Sequence, residues 1–135
     1  MRIFAVDVGA QRWGWCYADK INELSGSDDT VSFSKFYSIC SELIRNFRPD
    51  ILVVGKPNRY YNVISCQNKY IGVLCLIAEK KNIPLVEIND STARAAILPK
   101  KGTSKKEEIM KLLKIDDPDQ CDATVLARGW LKMNR

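Results

Sequence analysis

The sequence predicts an α/β protein: one domain over residues 1–135, built on a mixed five-stranded sheet flanked by helices. Three observations predict it. Residues 2–8 and 12–18 are apolar runs separated by a turn too short for anything but an antiparallel pair. Between residues 34 and 88, stretches with apolar spacing of three and four alternate with short aliphatic runs. Beyond Ser91 only helical patterns remain, which is the order of an α/β domain with a strand meander first.

The first strand, Arg2 to Val8, ends on Asp7-Val-Gly9, and the second runs from Arg12 to Ala18. Polar Asp19 to Asp29, with Ser-Gly-Ser-Asp-Asp at its end, reads as a loop, and a third strand is expected near Thr30 to Phe33. Ser34 is the expected cap of a helix whose apolar face is Phe36, Ile39, Cys40, Leu43, Ile44 and Phe47; Arg48-Pro49 stops it. Ile51-Leu-Val-Val54 is continuous, as in a strand covered on both faces. Residues 55–62 then form a loop, 63–81 a long helix, 84–88 the fifth strand and 91–98 a short helix. Ser104-x-x-Glu107 is a capping box opening a helix to Lys114, and a last helix runs from Gln120 to about Met133.

Composition narrows the chemistry. No apolar run approaches the roughly 20 residues of a membrane helix, and no signal core opens the chain, so a cytoplasmic protein is expected. The five cysteines are scattered without a C-x-x-C pair and there is no histidine. That removes the familiar zinc sites and any imidazole base. Chemistry must rest on carboxylates, lysines, tyrosines or a bound ion. Charge is uneven: from Arg94 to Lys114 seven basic residues face two acids, which accounts for the whole net charge of +5. A neutral body with one basic segment suits a polyanion such as nucleic acid, although a solvated lysine-rich helix has the same composition.

Asp7 is the residue the chain is organised around. A carboxylate ending a buried strand is costly without a cation to neutralise it. In open sheets ligands gather at the C-terminal ends of parallel strands, where Asp7 lies. Asp119 and Asp122 lie three apart at the start of the last helix and so share a face, about 5 to 6 Å apart at Cβ. Read alone, Asp119 is equally an N-cap and Asp122 an acid of the first turn. With Asp7 they form an oxygen-only set that suits Mg²⁺ or Mn²⁺. Two such ions can activate water and stabilise the leaving oxygen of a phosphodiester.

The succession of Asp7-Val-Gly9, the Arg48-Pro-Asp-hydrophobic strand, Ile83-Pro-Leu-Val-Glu87, a lysine-containing helix and Asp119-Gln-Cys-Asp-Ala-Thr-Val-Leu-Ala127 resembles the RuvC-type Holliday junction resolvases of the ribonuclease H-like superfamily. The resemblance covers nearly the whole chain. It implies sheet order 3-2-1-4-5 and a homodimeric, Mg²⁺-dependent endonuclease, with Mn²⁺ substituting, that nicks branched DNA such as a four-way junction. Asp7, Asp119 and Asp122 match the family's metal ligands. Lys100, Lys101, Lys105 and Lys106 fall where such enzymes carry DNA-contacting lysines. Short length and departures from the cellular pattern point to a phage or viral type.

One departure is chemical. The family's glutamate at the end of the fourth strand is replaced here by Gly55, followed by Lys56-Pro57. Val54-Gly-Lys-Pro57 resembles instead the YqgF branch, whose second acid follows the fifth strand; the matching position is Asp90. Spacing puts that strand about 10 Å from the first, so Asp90 must lean inward to serve, or else it caps the next helix. Glu87 is the weaker substitute. Lys56, Arg59, Tyr60 and Tyr61 lie in the loop at the same mouth, where they can contact or stack on DNA or simply pack on the neighbouring helix. Two other readings compete. One is a branched-DNA-binding protein that has lost cleavage. The other takes Asp7-Val-Gly9 and Gly14 as the phosphate-binding hairpin of actin-like kinases and ATPases, which need a second lobe that these 135 residues do not supply.

Overall fold

The computed structural model describes residues 1–9, 11–56, 61–98 and 106–134, and side chains in α2 only from residue 67. Its five-stranded sheet has the order β3-β2-β1-β4-β5. β1 (Ile3–Val8) pairs antiparallel with β2 (Arg12–Ala18), which pairs antiparallel with β3 (Glu23–Asp29). On the other side, β1 runs parallel to β4 (Ile51–Gly55), and β4 runs parallel to β5 (Leu85–Ile88). The helices are α1 (Phe33–Phe47), α2 (Tyr61–Lys81), α3 (Asp90–Ile97), α4 (Lys106–Leu113) and α5 (Pro118–Met133).

The third strand corrects the sequence reading. Residues 23–29, taken as loop, form β3, while the strand expected near Thr30 to Phe33 does not exist. β3 is a half-exposed edge strand, so it carries no apolar alternation; its order comes from a seven-residue register with β2. Gly26 faces Trp15 in that register, and a Cβ there would stand 2.7 Å from the indole. The ring thus covers the glycine and supplies the packing that β3 lacks.

Helix ends shift for local reasons. Ser32, not Ser34, caps α1, its Oγ accepting from the Lys35 amide at 3.3 Å. Arg48 then ends α1 in the left-handed region at φ 50°. α2 begins at Tyr61, two residues early. α5 begins at Pro118, whose missing amide hydrogen costs nothing in a first turn, and Asp117 is its cap. The Ser104 capping box lies outside the described residues.

Alternation along the strands builds two cores. Phe4, Val6, Trp13, Tyr17, Leu52 and Val54 face α1 and α2, where Phe36, Ile44, Leu74 and Ile77 fill the space. Ile3, Ala5, Cys16, Ala18 and Val53 face the other way, onto Ala93, Cys121, Ala123, Leu126 and Ala127 of α3 and α5. Cys16, Cys40 and Cys121 are buried free thiols, and burial pushes that of Cys16 up to about 12. No described helix is long and apolar enough to cross a membrane.

Candidate carboxylate site

The second core mixes aliphatic side chains with many small ones, and at one end of it stand the acids. Asp7 follows Ala5 on the same face of β1 and is directly opposite Gly14 of β2. The parallel register that matches Val6 with Val54 places Gly55 of β4 on its other side. Asp7 therefore stands in a row between two glycines.

Each glycine admits a different partner. A Cβ at Gly14 would lie 2.0 Å from the Asp119 carbonyl oxygen, so the first turn of α5 rests directly on the β2 backbone. A Cβ at Gly55 would lie 2.7 Å from Asp7 Oδ1, 3.2 Å from Leu126 Cδ1 and 3.3 Å from Asp90 Oδ1. Two carboxylates thus converge on the space above Gly55, their oxygens at most about 6 Å apart. Where the resemblance leads one to expect a glutamate on β4, Asp90 leans in from the start of α3, just past the end of β5.

The structure also decides what these acids are not. Asn89 is the N-cap residue of α3, Asp90 is its first helical residue, and Asp90 Oδ1 is buried with no hydrogen-bond partner. Capping therefore does not account for it. Asp119 is likewise no cap: Asp117 accepts from the amides of Asp119 at 2.9 Å and Gln120 at 3.0 Å. Asp119 is held instead by Arg12, whose Nε donates to Asp119 Oδ2 at 3.1 Å while Nη1 reaches Asp29 at 2.8 Å. Glu87 lies on the opposite face of β5, near Cys75 of α2, and does not join the site.

Charge is concentrated without a full counterweight. Burial first, then the charges of Asp90 and Asp122, hold the Asp7 carboxyl well above the usual carboxylate range. Burial and then Asp122 raise Asp90 in the same way. A cavity of about 170 Å³ opens beside them, lined by Asp90, Arg94, Lys106, Ile109, Asp122 and Val125. Lys106 Nζ donates to Asp122 Oδ2 at 2.6 Å. Among the described residues no three acids already stand in a metal-ligating arrangement. The donor set nonetheless fits a hard divalent cation: every donor is a carboxylate oxygen, one of them buried and unpartnered, and ionisation is resisted until positive charge arrives.

The remaining sequence candidates divide. Lys56 follows β4 directly and is exposed, its amide donating to the Ile88 carbonyl at 2.7 Å. Arg59, Tyr60, Lys100, Lys101 and Lys105 lie outside the described residues, and Tyr61 starts α2 with its side chain undescribed. Trp13 and Trp15 belong to the first core and Trp130 packs against the second. Sequence reasoning missed Arg12, Arg94 and Gln67, whose Nε2 donates to the Val8 carbonyl at 2.8 Å beside Asp7. Arg12 follows the tight turn after Gly9, but nothing local in sequence announces an acid at position 119 as its partner.

The sheet order 3-2-1-4-5 with α5 packed across it is a RuvC-like fold, shared with solved structures over nearly the whole chain. Among solved structures, the chain is similar to RuvC of Thermus thermophilus in complex with a Holliday junction substrate, with TM-score 0.77, 14% identity, and coverage of 99% of this chain and 96% of that one. It is also similar to the fowlpox virus resolvase in complex with Holliday junction DNA, with TM-score 0.63, 13% identity and 98% of both chains covered. The yeast mitochondrial Holliday junction resolvase Ydc2 gives TM-score 0.54 at 15% identity, over 97% of this chain and 78% of that one. At such identity the likeness is one of fold. No protein-family model and no curated protein matches the chain.

Proposed function

We propose that this protein is a divalent-metal-dependent, structure-selective DNA endonuclease that resolves four-way junctions or related branched DNA by phosphodiester hydrolysis, acting as a homodimer. The observation that carries the reading is Asp90 Oδ1, buried, unpartnered and converging with Asp7 on Gly55. An inactive descendant has no reason to rebuild from α3 the carboxylate missing from β4. Asp7, Asp119, Asp122 and Asp90 would hold Mg²⁺ or Mn²⁺. Bound there, the cations supply an activated water and charge for the leaving oxygen. Arg12 fixes one oxygen of Asp119, which leaves the other for ligation. Lys56, at the same end of the sheet, and the basic residues of positions 100–106 are suited by charge to hold the phosphate backbone.

The test is nicking of a synthetic four-way junction in Mg²⁺, against flap and linear duplex of the same sequence. Cleavage of branched DNA that disappears in Asp7→Asn and Asp122→Asn, with junction binding retained, is expected. No cleavage of any substrate in Mg²⁺ or Mn²⁺ overturns it.

A second reading, a branched-DNA-binding protein without cleavage, is favoured by one observation: Lys106 already neutralises Asp122. It predicts salt-sensitive junction binding that is equal in chelator and in Mg²⁺.

A further inference from the structure

The Lys106–Asp122 pair has a role of its own. We propose that Lys106 is a built-in counter-ion of the carboxylate cluster, one that competes with a divalent cation and must leave Asp122 before the cation can enter. The proposal rests on the metal-site reading given above and deepens it.

Four features carry it. Lys106 Nζ touches Asp122 Oδ2 at 2.6 Å, so an ammonium stands at an oxygen that a metal would need. Lys106 is the first residue of α4, and Ile109, one turn on, is buried at 3% exposure and anchors that turn over the cavity. The cavity wall that carries Lys106 also carries Asp90, whose Oδ1 has no partner; one ammonium serves one carboxylate and leaves the neighbour unsatisfied. The Lys106 side chain is 48% exposed, so its long stem can swing to solvent without unpacking α4. A single charge on a flexible stem is a poor substitute for a dication bridging several carboxylates, and this makes the pair exchangeable.

Exchange then has a direction. With a cation seated among the acids, like charge would push the ammonium off Asp122 and out to solvent. There it meets the side from which a phosphate backbone would approach. Metal loading would thereby release one more positive charge for DNA, and the empty site would stay closed by its own lysine.

Calorimetric titration of the whole protein with Mn²⁺ alone, without DNA, tests this on wild type, Lys106→Met, Lys106→Arg and Asp122→Asn. Lys106→Met should bind Mn²⁺ at least about threefold tighter than wild type, the scale of a half-exposed ion pair. Lys106→Arg, which keeps the charge, should bind no tighter than wild type. In chelator, Lys106→Met should melt below wild type and gain more on Mn²⁺ addition, because the acids have lost their counter-ion. If wild type binds Mn²⁺ and Asp122→Asn does not, yet Lys106→Met binds no tighter, the role given to Lys106 falls while the metal site stands. If none of the four binds Mn²⁺, the metal-site reading falls and takes this proposal with it.

Discussion

The two faces of the sheet are built from opposite materials. Toward α1 and α2 the residues are large: Trp13 meets Phe36 edge-on at 4.9 Å between centroids, and Tyr17 stacks on Phe47 at 4.6 Å. Toward α3 and α5 no aromatic ring among the described residues is buried: Ala5, Cys16, Ala18, Ala93, Ala123 and Ala127 stand among aliphatic Ile3, Val53 and Leu126, with Gly14 and Gly55 at the end. Large side chains hold a helix away from a sheet and bury much area. Small ones bring it close enough for aspartates, with one methylene each, to meet across the gap. The first face gives stability, and the second gives up area for proximity.

That contrast can be broken from either side. Phe36→Ala on the large face should cost about 3–5 kcal/mol of stability in chemical denaturation, with Mn²⁺ affinity unchanged wherever the protein remains folded. Gly14→Ala on the small face should cost at least about 1–3 kcal/mol, because the new methyl meets backbone and the first turn of α5 must shift. Unlike Phe36→Ala, it should also weaken Mn²⁺ binding sharply, because that shift displaces Asp119. Equal loss of Mn²⁺ affinity in the two variants would deny the division.

Asp7→Asn sharpens the contrast with a gain. The Asp7 carboxyl titrates above its unfolded value, so the folded state binds the proton more tightly. Stability in chelator therefore falls as pH rises from the ordinary carboxylate value through the raised one. Asp90, Asp119 and Asp122 act in the same sense on Asp7, and Lys106 opposes them. The asparagine variant should melt roughly 3 °C or more above wild type at neutral pH in chelator, and the difference should shrink toward acid pH. A melting point below wild type at neutral pH would show that the carboxylate is compensated. Smallest is Arg128→Ala, which removes a two-pronged contact to Glu23 tying α5 to β3 at 2.8 and 2.9 Å. It should cost under about 1 kcal/mol and leave Mn²⁺ binding unaltered.

Legibility in the sequence follows the range of the interaction. β1, β2, β4 and the helical faces are local patterns, and they could be read. β3 could not, because an edge strand of Ser, Gly and Asp has the composition of a turn and is ordered by its neighbour. Asp119 and Asp122 were legible through helical spacing, and Asp7 through its place at the end of an apolar run. Which of Asp116, Asp117 and Asp119 caps α5 was not, since all three are chemically able and only backbone geometry chooses. Gly55 was read as a vacancy and Gly14 as one position of the second strand. Their use, admitting Asp119 over Gly14 and Asp90 over Gly55, joins residues 105 and 35 positions apart and leaves no local trace.

The tight seat of α3 on α5 has a mechanical consequence. A Cβ at Gly129 would lie 2.8 Å from Ala93, so the two helices touch backbone to backbone. Asp90 comes from one and Asp119 and Asp122 from the other, while Asp7 alone belongs to the sheet. The spacing of the acids is therefore set by backbones in contact, α5 on β2 at Gly14 and α3 on α5 at Gly129. A side chain at position 129, one turn or more from every carboxylate, would wedge α3 off α5 and so move Asp90 away from Asp119 and Asp122.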